Sequence, residues 1–550
     1  RSPRMLVAML AVLQTGAAYV PMDAAYPDGR LRHMASDAKC RVILTQECLL
    51  DRFAGLDCRL WALDRDALPA PPALPALPAR APSSTFYVLY TSGSTGLPKG
   101  AAVHDLGEWN LISWYVREFG ISAADKLLIV SAFGFDLTQK NFFAALTTGA
   151  TVVLPEGADF DPNRILDTVA ATGATIINCA PGAFYSLLDN PNRLGDLASL
   201  RFVFLGGEPI RVSTLEPWLR HPRCRAEVVN TYGPTECTDV VSFYRLTEPL
   251  RFRDREVPLG APVDNVRLHV IDELGRPAPP YGVGELGISG VCVGSGYWQK
   301  PEMTAERFVP GPGDAGTMYR TGDLVYRLAD GVPVFIGRRD SQVKIRGLRI
   351  ELGEIEVALA ETTGLAEWIV LAIAETLIAF VKTDGPAPSA ADLRARVGRR
   401  LPDYMIPPVV VAVAAWPLSP NGKVDREALS RLQRPDAAVA TTPPRTDTER
   451  RVAAIWQEVL ERPSFGREES FFAIGGHSLL AARVVARIRT TFNIELPLRT
   501  VFEAPTIAAI GSHIDEVVSA RDADVDPELL EALAGLSDEE VSRLLSDEGS

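Results

Sequence analysis

The arrangement of hydrophobic and polar positions divides the chain into two parts with different predicted architectures. Over residues 1–335, short apolar runs such as VVLP, TIIN and FVFLGGE alternate with segments of helical periodicity. Runs of this kind are typical of strands buried on both faces, so this part is predicted to be an α/β fold. Beyond residue 446 the pattern is mostly helical, with one amphipathic helix predicted over 449–460 and another from about residue 478 to residue 492.

Three segments interrupt these patterns. Residues 67–84 are rich in proline and alanine, and we interpret them as a surface excursion inside a domain because the strand-like segment 87–90 follows at once. Residues 434–446 (RPDAAVATTPPRT) lack apolar periodicity and are predicted to be a linker. The acidic residues 517–550 are predicted to form a loosely ordered tail or an inter-module connection.

Length, charge and cysteine content exclude several classes of protein. A chain of 550 residues is expected to fold as roughly three or four compact units. The net charge of −13 argues against a nucleic-acid-binding surface, which needs an excess of Lys and Arg. Seven scattered cysteines without a C-x-x-C pair indicate neither a disulfide framework nor a zinc site. No apolar stretch is long enough to span a bilayer and no signal peptide opens the chain, which together predict a cytoplasmic protein without membrane association.

A glycine-rich loop at residues 90–100 (YTSGSTGLPKG) follows an apolar strand. Its glycines let the backbone approach an anion, while the hydroxyl groups and Lys99 supply hydrogen-bond donors. A P-loop is excluded because Lys99 is followed by glycine and not by Ser or Thr. The loop therefore indicates a phosphate site of another type, and the alternative is an ordinary Ser/Gly surface turn.

Three further segments carry candidate chemistry for a nucleotide. In residues 230–236 (NTYGPTE), Tyr232 offers an aromatic face for adenine, and the adjacent Thr235 and Glu236 suit Mg²⁺ held with phosphate oxygens. Residues 319–324 (YRTGDL) offer Asp323 as an acceptor for ribose hydroxyls. Residues 337–356 form a basic strand-turn-strand that runs into a helix with an acidic first turn. Taken singly, residues 230–236 would be interpreted as a turn with a helix cap, and residues 337–356 as an ordinary hairpin.

Taken together, these segments resemble the adenylate-forming superfamily, and specifically the adenylation domains of nonribosomal peptide synthetases. Further matches follow in the family's order: LQTGAAYVPMD (13–23), FDLT (135–138), GELGISG (284–290), LPDYMIP (401–407) and NGKVDR (421–426). The resemblance implies a multi-domain α/β protein. Its parts would be a large, N-terminally incomplete subdomain with mixed sheets over 1–338 and a small α+β lid over 339–433 with its hinge at Asp340. The linker 434–446 and a four-helix-bundle carrier domain over 447–516 would follow.

The reaction that the resemblance implies joins an amino-acid carboxylate to the α-phosphate of ATP and releases pyrophosphate. Lys99, Glu236 and Lys423 would be the catalytic residues, with Glu236 binding Mg²⁺ and Lys423 bridging the carboxylate and the α-phosphate from the mobile lid. Asp323 and Arg338 would hold the ribose. The remaining residues that the resemblance assigns to ATP or AMP are Thr91, Ser92, Gly93, Ser94, Thr95, Gly96, Asn230, Tyr232, Gly233 and Thr235.

The segment 469–480 (ESFFAIGGHSLL) matches the signature of carrier domains. The glycine pair makes a bend and Ser478 opens the following helix, where the helix dipole favours an anion such as a phosphodiester. A lone GGxS would usually be just a helix N-cap. The position of the segment, one domain length after the lid, implies instead that Ser478 carries 4′-phosphopantetheine.

The resemblance also implies a substrate pocket, in which Asp136 would bind the amino-acid α-amino group. The side-chain pocket would be lined by Leu137, Lys140, Asn178, Phe204, Gly206, Thr231, Asp239 and Val240. Buried charges need partners, so either Lys140 and Asp239 pair with each other or one of them pairs with the substrate. The polar wall predicts a substrate with a polar or charged side chain.

Two alternatives remain open from the sequence. One is an acyl-CoA or aryl-acid ligase of the same superfamily, against which Asp136 and the fused carrier segment both argue. The other is a carrier scaffold with an inactive adenylation domain, which the intact Lys99, Glu236, Asp323 and Lys423 disfavour. The expected partners are the amino acid, a phosphopantetheinyl transferase, and condensation and other synthetase domains in secondary-metabolite biosynthesis. The sequence leaves open whether a small MbtH-like activator protein is required.

Overall fold

The computed structural model describes residues 2–66, 79–93, 96–157, 160–273, 275–279, 281–340, 342–345, 347–365, 367–373, 376–383, 385, 387–417, 424–432, 442–460, 462, 464–469, 471, 474, 476, 478–494, 496–497, 500–501 and 504–523.

The α-helices of the described residues are α1 (Pro3–Gln14), α2 (Asp28–Asp37), α3 (Asp105–Phe119), α4 (Asp136–Thr148), α5 (Pro162–Thr172), α6 (Pro181–Leu187), α7 (Val212–Leu219), α8 (Pro301–Arg307), α9 (Leu352–Thr363), α10 (Ala390–Val397), α11 (Arg426–Arg431), α12 (Asp447–Leu460), α13 (Ser478–Phe492) and α14 (Ile507–Ala523).

The strands are β1 (Val42–Thr45), β2 (Arg59–Ala62), β3 (Thr85–Thr91), β4 (Lys99–His104), β5 (Lys126–Leu128), β6 (Thr151–Val153), β7 (Ile176–Cys179), β8 (Phe202–Gly206), β9 (Glu227–Tyr232), β10 (Ser242–Leu246), β11 (Ala261–Pro262), β12 (Val266–Ile271), β13 (Gly284–Gly290), β14 (Gly296–Tyr297), β15 (Phe308–Pro310), β16 (Thr317–Arg327), β17 (Pro333–Arg338), β18 (Gln342–Ile345), β19 (Leu348–Glu351), β20 (Trp368–Ile373), β21 (Thr376–Lys382) and β22 (Val409–Val413).

A seven-stranded sheet forms the centre of the first compact unit, which comprises residues 1–434. Its strand order is β11-β10-β9-β8-β7-β5-β6, and the five strands from β9 to β6 are parallel. Strands β7 and β8 are buried along their whole length, which explains their unbroken apolar runs. Because the carboxyl ends of parallel strands meet at one edge of a sheet, the residues that follow β7, β8 and β9 lie together there.

Two antiparallel sheets complete the larger part of this unit. One has the order β12-β13-β16-β15, with β17 paired to the far part of β16, and the other has the order β14-β4-β3. The strand predicted at 87–90 is confirmed as part of β3, which is paired to β4 so that Thr91 lies opposite Lys99. Tyr19 extends the edge of this sheet through a parallel bridge to Tyr87.

The lid elements follow β17 in the chain. Strands β18 and β19 form an antiparallel hairpin, and β20, β21 and β22 form a small mixed sheet covered by α9 and α10. Ile350, Ile355, Leu359 and Val370 belong to the hydrophobic core of these elements and are fully buried. This α+β arrangement agrees with the predicted fold class.

The second compact unit comprises residues 435–550, of which the described part contains α12, α13 and α14. Its core is built around Trp456, whose ring packs edge-on against Phe465 and Phe471. The two helices predicted here are confirmed as α12 and α13. Helix α14 continues to Ala523, beyond residue 516, where the sequence pattern suggested the carrier domain to end.

No helix in the described part of the chain is long and apolar enough to cross a membrane.

Candidate active site

A cleft opens at the carboxyl ends of the parallel strands in the first unit. Its walls come from the end of β3, the start of α4, the loop after β9, strand β16 and the hairpin β18–β19. The predicted site residues that line it are Thr91, Ser92, Asp136, Leu137, Thr231, Tyr232, Gly233, Thr235, Asp239, Val240, Asp323 and Arg338.

The glycine-rich loop carries the strongest local constraints. A Cβ atom at Gly93 would lie 1.9 Å from the carbonyl oxygen of Leu97, so no other residue fits the observed turn. The Thr91 hydroxyl is buried without a hydrogen-bond partner, which leaves it available to an oxygen of a bound phosphate. Ser94 and Thr95, also predicted for this site, lie outside the described residues.

Lys99 and Glu236 lie together beneath this loop, and both side chains are buried. The Lys99 Nζ atom is 4.5 Å from the centroid of the Tyr297 ring, and burial together with the charge of Arg349 lowers its pKa. Glu236 accepts hydrogen bonds from the Tyr297 hydroxyl at 2.8 Å and from Arg349 at 2.7 Å. Burial acts to raise the pKa of Glu236, but the charges of Arg349 and Lys99 outweigh it and hold that pKa at about 2. An ionised carboxylate of this kind is a hard oxygen ligand suited to Mg²⁺.

Three side chains that bond to one another form one end of the cleft, which we call the adenosine end because the sequence predicts that adenosine binds there. The Tyr232 hydroxyl donates to Asp323 at 2.5 Å, and Arg338 forms an ion pair with the same carboxylate. The pairing of β16 with β17 sets this arrangement, because it places Asp323 directly opposite Arg338. The Lys344 Nζ atom lies 5.2 Å from the centroid of the Tyr232 ring.

Two residues predicted for the ATP site have structural contacts instead of lining the cleft. Asn230 is buried in β9, and its amide donates to the carbonyl of Pro258 at 2.8 Å. Gly96 packs against Val357 of α9. Asp340, the predicted hinge, lies between β17 and β18 and accepts a hydrogen bond from Arg338 at 2.8 Å.

Asp136 begins α4 at the opposite end of the cleft. Its carboxylate accepts from the Thr235 hydroxyl at 2.5 Å and from the backbone N–H of Leu137 at 2.9 Å. Burial and, next, the charge of Asp239 raise the pKa of Asp136 to about 6. A buried carboxylate with this environment is stabilised by a positively charged group that enters the cleft.

The residues predicted for the side-chain pocket divide into two sets. Leu137, Thr231, Asp239 and Val240 line the cleft, whereas Lys140, Asn178, Phe204 and Gly206 lie behind it. Lys140 forms a buried ion pair with Asp239, which is the first of the two pairings left open above. Both polar atoms of the Asn178 side chain are buried without a partner. Phe204 belongs to the aromatic core, with its ring centroid 5.1 Å from that of Tyr115.

The hairpin β18–β19 and the start of α9 contribute contacts that the motifs did not predict. The Ser92 hydroxyl donates to the carbonyl of Arg349 at 2.8 Å, and the N–H of Gly93 donates to Glu354 at 3.0 Å. The N–H of Gly347 donates to Glu208 at 2.6 Å. In the sequence, the basic run in residues 337–356 was the signal that could have indicated these contacts. Its charge alone does not predict that Arg349 contacts Glu236. Lys423, predicted for the same lid, lies outside the described residues.

In the second unit, Ser478 is the first residue of α13. A Cβ atom at Gly476 would lie 2.3 Å from Phe471, so the chain passes the core too closely for any side chain at that position. This close approach lies two residues before the first residue of α13.

Comparisons with known proteins agree with this arrangement. The AMP-binding enzyme family matches residues 1–298, the AMP-binding enzyme C-terminal domain matches residues 354–423, and the phosphopantetheine attachment site matches residues 450–514. The first match alone covers more than half of the chain. The chain belongs to the AMP-binding enzyme family.

Relatives of this AMP-binding enzyme include multi-domain synthetases. Tyrocidine synthase 2 of Brevibacillus parabrevis is 36% identical over 536 residues, which are 96% of this chain and 15% of the synthase. A dimodular nonribosomal peptide synthase of Bacillus subtilis is 37% identical over 550 residues, which are 96% of this chain and 23% of the synthase. The chain therefore spans less than a quarter of either relative.

Solved structures give the same result. An NRPS protein containing adenylation and PCP domains, bound to a vinylsulfonamide inhibitor, aligns with a TM-score of 0.76 and 28% identity over 93% of this chain and 86% of that one. A four-domain nonribosomal peptide synthetase bound to AMP and glycine aligns with a TM-score of 0.55 and 30% identity over 94% of this chain and 38% of that one. This AMP-binding enzyme thus consists of an adenylation domain followed by a carrier domain of the nonribosomal peptide synthetase type. ATP and 4′-phosphopantetheine are the cofactors of its two families.

Proposed function

We propose that this chain activates one amino acid as its aminoacyl-AMP and loads it as a thioester onto its own carrier domain. The observation that carries the proposal is the cleft that brings Asp136, Thr91, Tyr232 and Asp323 to one edge of the sheet, with Lys99 and Glu236 beside them. An anionic site for an α-ammonium group and donors for phosphate oxygens thus lie in a single cleft.

In the first step, an oxygen of the amino-acid carboxylate attacks the α-phosphorus of ATP, and the bond to the bridging oxygen breaks to release pyrophosphate. No protein nucleophile is needed, so positioning and charge neutralisation supply the rate. Asp136 binds the α-ammonium group, Asp323 with Arg338 orients the ribose, and Lys99 with the Thr91 hydroxyl holds the phosphates. Lys423 neutralises the charge that develops at the α-phosphate.

Mg²⁺ would be held by Glu236, whose low pKa keeps the carboxylate ionised. When bound, the metal neutralises phosphate charge. Arg349 occupies the same carboxylate through a 2.7 Å hydrogen bond, so metal binding requires this hairpin to withdraw. We propose a movement of the lid 339–433 about Asp340 for that reason.

In the second step, the pantetheine thiol attacks the acyl carbonyl, the bond to the phosphate oxygen breaks, and AMP leaves. The thiol is carried on Ser478 after modification by a phosphopantetheinyl transferase. We assign residues 447–516 to the carrier domain and 434–446 to the linker. Condensation and other synthetase domains would supply and consume the thioester, and the multi-domain relatives support this placement.

The substrate is proposed to carry a polar or charged side chain. Lys140 and Asp239 are nearly inaccessible to solvent and are paired with each other, and Asn178 retains two unpartnered polar atoms. A large aliphatic side chain would leave the polar atoms of Asn178 buried without a partner, which is unfavourable.

The test is intact mass spectrometry of the chain after phosphopantetheinylation, with ATP, Mg²⁺ and a pool of amino acids. A mass increase equal to one aminoacyl group on the pantetheine arm is expected. The same increase should be absent in Ser478→Ala, which lacks the attachment point but retains the adenylation domain. Formation of a free acyl-CoA thioester when CoA is added, with no loading of the arm, would favour a CoA ligase instead.

A further inference from the structure

Glu108 is a buried carboxylate that no predicted role accounts for. It lies in the first turn of α3, its relative exposure is 0%, and neither of its oxygens makes a hydrogen bond of good geometry, although the buried Tyr87 hydroxyl beside it acts to lower its pKa. Leaving a buried carboxyl group unpaired is costly. Burial first, and the charge of Asp239 next, raise the pKa of Glu108 to about 8.

Other buried carboxylates of the chain do have cationic partners. Asp105, three residues earlier in the same helix, accepts two hydrogen bonds from Arg80 at 2.6 and 2.7 Å. Glu354 pairs with Arg30 at 2.8 Å, and Glu285 pairs with Arg320 at 2.5 Å. Glu108 differs from these three carboxylates, each of which has an arginine partner.

The helix face that bears Glu108 adjoins the amino-acid end of the cleft. A Cβ atom at Gly107 would lie 2.8 Å from the Thr238 hydroxyl, so the start of α3 packs tightly against the residue preceding Asp239. Tyr115 is two turns further along the same face, and its ring centroid is 5.8 Å from Lys140 Nζ. The charges of Lys140, Asp239 and Asp136 all act on Glu108.

The charges in this region do not balance. Asp136, Asp239 and Glu108 are three carboxyl groups, whereas the cations that act on them are Lys140, which acts on Glu108, and Lys344, which acts on Asp136 and lies beside Tyr232. Lys140 is already paired with Asp239. On the proposed function, the substrate's α-ammonium group pairs with Asp136, which leaves Glu108 as the remaining acidic group.

The substrate side chain that faces Glu108 can be acidic, neutral or cationic. An acidic side chain would add a further like charge to a buried site, an apolar one would leave Glu108 without a partner, and a neutral polar one would supply a hydrogen bond but no balancing charge. A cationic side chain would pair with it and balance the charges. We propose that the chain activates a basic amino acid and that Glu108 is a specificity-determining residue that receives its cationic group. This inference rests on the proposed function.

The test measures ATP–pyrophosphate exchange by the full chain with substrates matched in length and differing in charge. The pairs are lysine with norleucine and ornithine with norvaline, with glutamine and glutamate as neutral and acidic controls. At least one basic amino acid is expected to exceed its uncharged partner in kcat/KM by about 100-fold, the usual effect of removing one member of a buried charge pair. A preference for the uncharged partners or for glutamate would overturn the inference.

Glu108→Gln should reduce this charge preference about tenfold or more while leaving the KM for ATP unchanged, because its effect is confined to the side-chain end. The control is Glu118→Gln, a partly exposed carboxylate of the same helix that pairs with Arg245 and should leave the preference intact. If Glu108→Gln does not fold, the comparison of lysine with norleucine in the unaltered chain decides. Exchange with no amino acid at all would contradict the proposed function itself, whereas activation of neutral amino acids would contradict only the basic substrate.

Discussion

The two ends of the cleft differ in how completely their polar groups are satisfied within the protein. At the adenosine end, Tyr232, Asp323 and Arg338 bond to one another, so the group is complete before any ligand binds. At the amino-acid end, Glu108 is buried without an ion-pair partner and the Asn178 amide is buried without a hydrogen-bond partner. We infer that the adenosine end is rigid and suited to ATP, the ligand that these enzymes share. The polar groups of the amino-acid end, in contrast, gain their partners when one particular substrate binds.

The largest effect on kcat/KM is expected from a substitution of Asp136, which belongs to the amino-acid end of the cleft. Asp136→Asn removes the anion that pairs with the α-ammonium group, so kcat/KM for the amino acid should fall about 1000-fold. The KM for ATP should change little, because the hydrogen bonds of Asp136 are made with Thr235 and Leu137, and those of Asp323 with Tyr232 and Arg338. Pyrophosphate exchange at varied amino acid and at varied ATP measures the two separately. An equal loss in both constants would show that the ends are not independent.

A substitution at the adenosine end should have the opposite pattern: it should affect ATP binding more than the preference among amino acids. Asp323→Asn leaves Arg338 with a weaker partner and perturbs a preformed group, so the KM for ATP should rise about tenfold or more. The preference among amino acids should be retained. Tyr232→Phe is the matched variant, because it removes a single hydroxyl donor to the same carboxylate and should have a smaller effect in the same direction. A changed amino-acid preference in either variant would contradict the division.

Asn178 tests whether unpartnered groups at the amino-acid end are kept for the substrate. Asn178→Leu replaces a buried amide, which has no partner, with an apolar group of similar size, so thermal stability should rise or stay the same. The kcat/KM for the cognate amino acid should nevertheless fall about tenfold. Thermal unfolding and pyrophosphate exchange on the same preparation measure both. A loss of stability with unchanged exchange would assign Asn178 a purely structural role.

The same contrast explains which features could be predicted from the sequence. Tyr232, Asp323 and Thr91 were predictable because each lies in a strand within a contiguous motif, where local spacing determines position. Arg349 was not, because its contact with Glu236 joins residues more than a hundred positions apart and depends on the placement of the hairpin β18–β19. Glu108 was missed because its helix carries no motif, and a carboxylate in the first turn of a helix is usually a solvated or dipole-stabilising residue.

A further effect is expected in the pH dependence of stability without substrate. The pKa of Glu108 is raised to about 8 and that of Asp136 to about 6, so the folded protein retains protons that the unfolded chain releases. Stability should therefore fall as the pH rises from about 5 to 8. Tyr87 and Tyr19 face Glu108 from the β3 sheet and its edge, and Asp239, Lys140 and Asp136 face it from the cleft.

Glu108→Gln should flatten this dependence, since it removes the group with the larger shift, while Glu118→Gln should follow the unaltered chain. Denaturant unfolding at a series of pH values across this window measures the slope. A saturating basic amino acid should also flatten the pH dependence of stability, because a cation beside Glu108 lowers its pKa and stabilises the ionised form. If neither the variant nor the ligand alters the slope, Glu108 is not the group that titrates, and the distinction between a complete and an incomplete end of the cleft loses its main support.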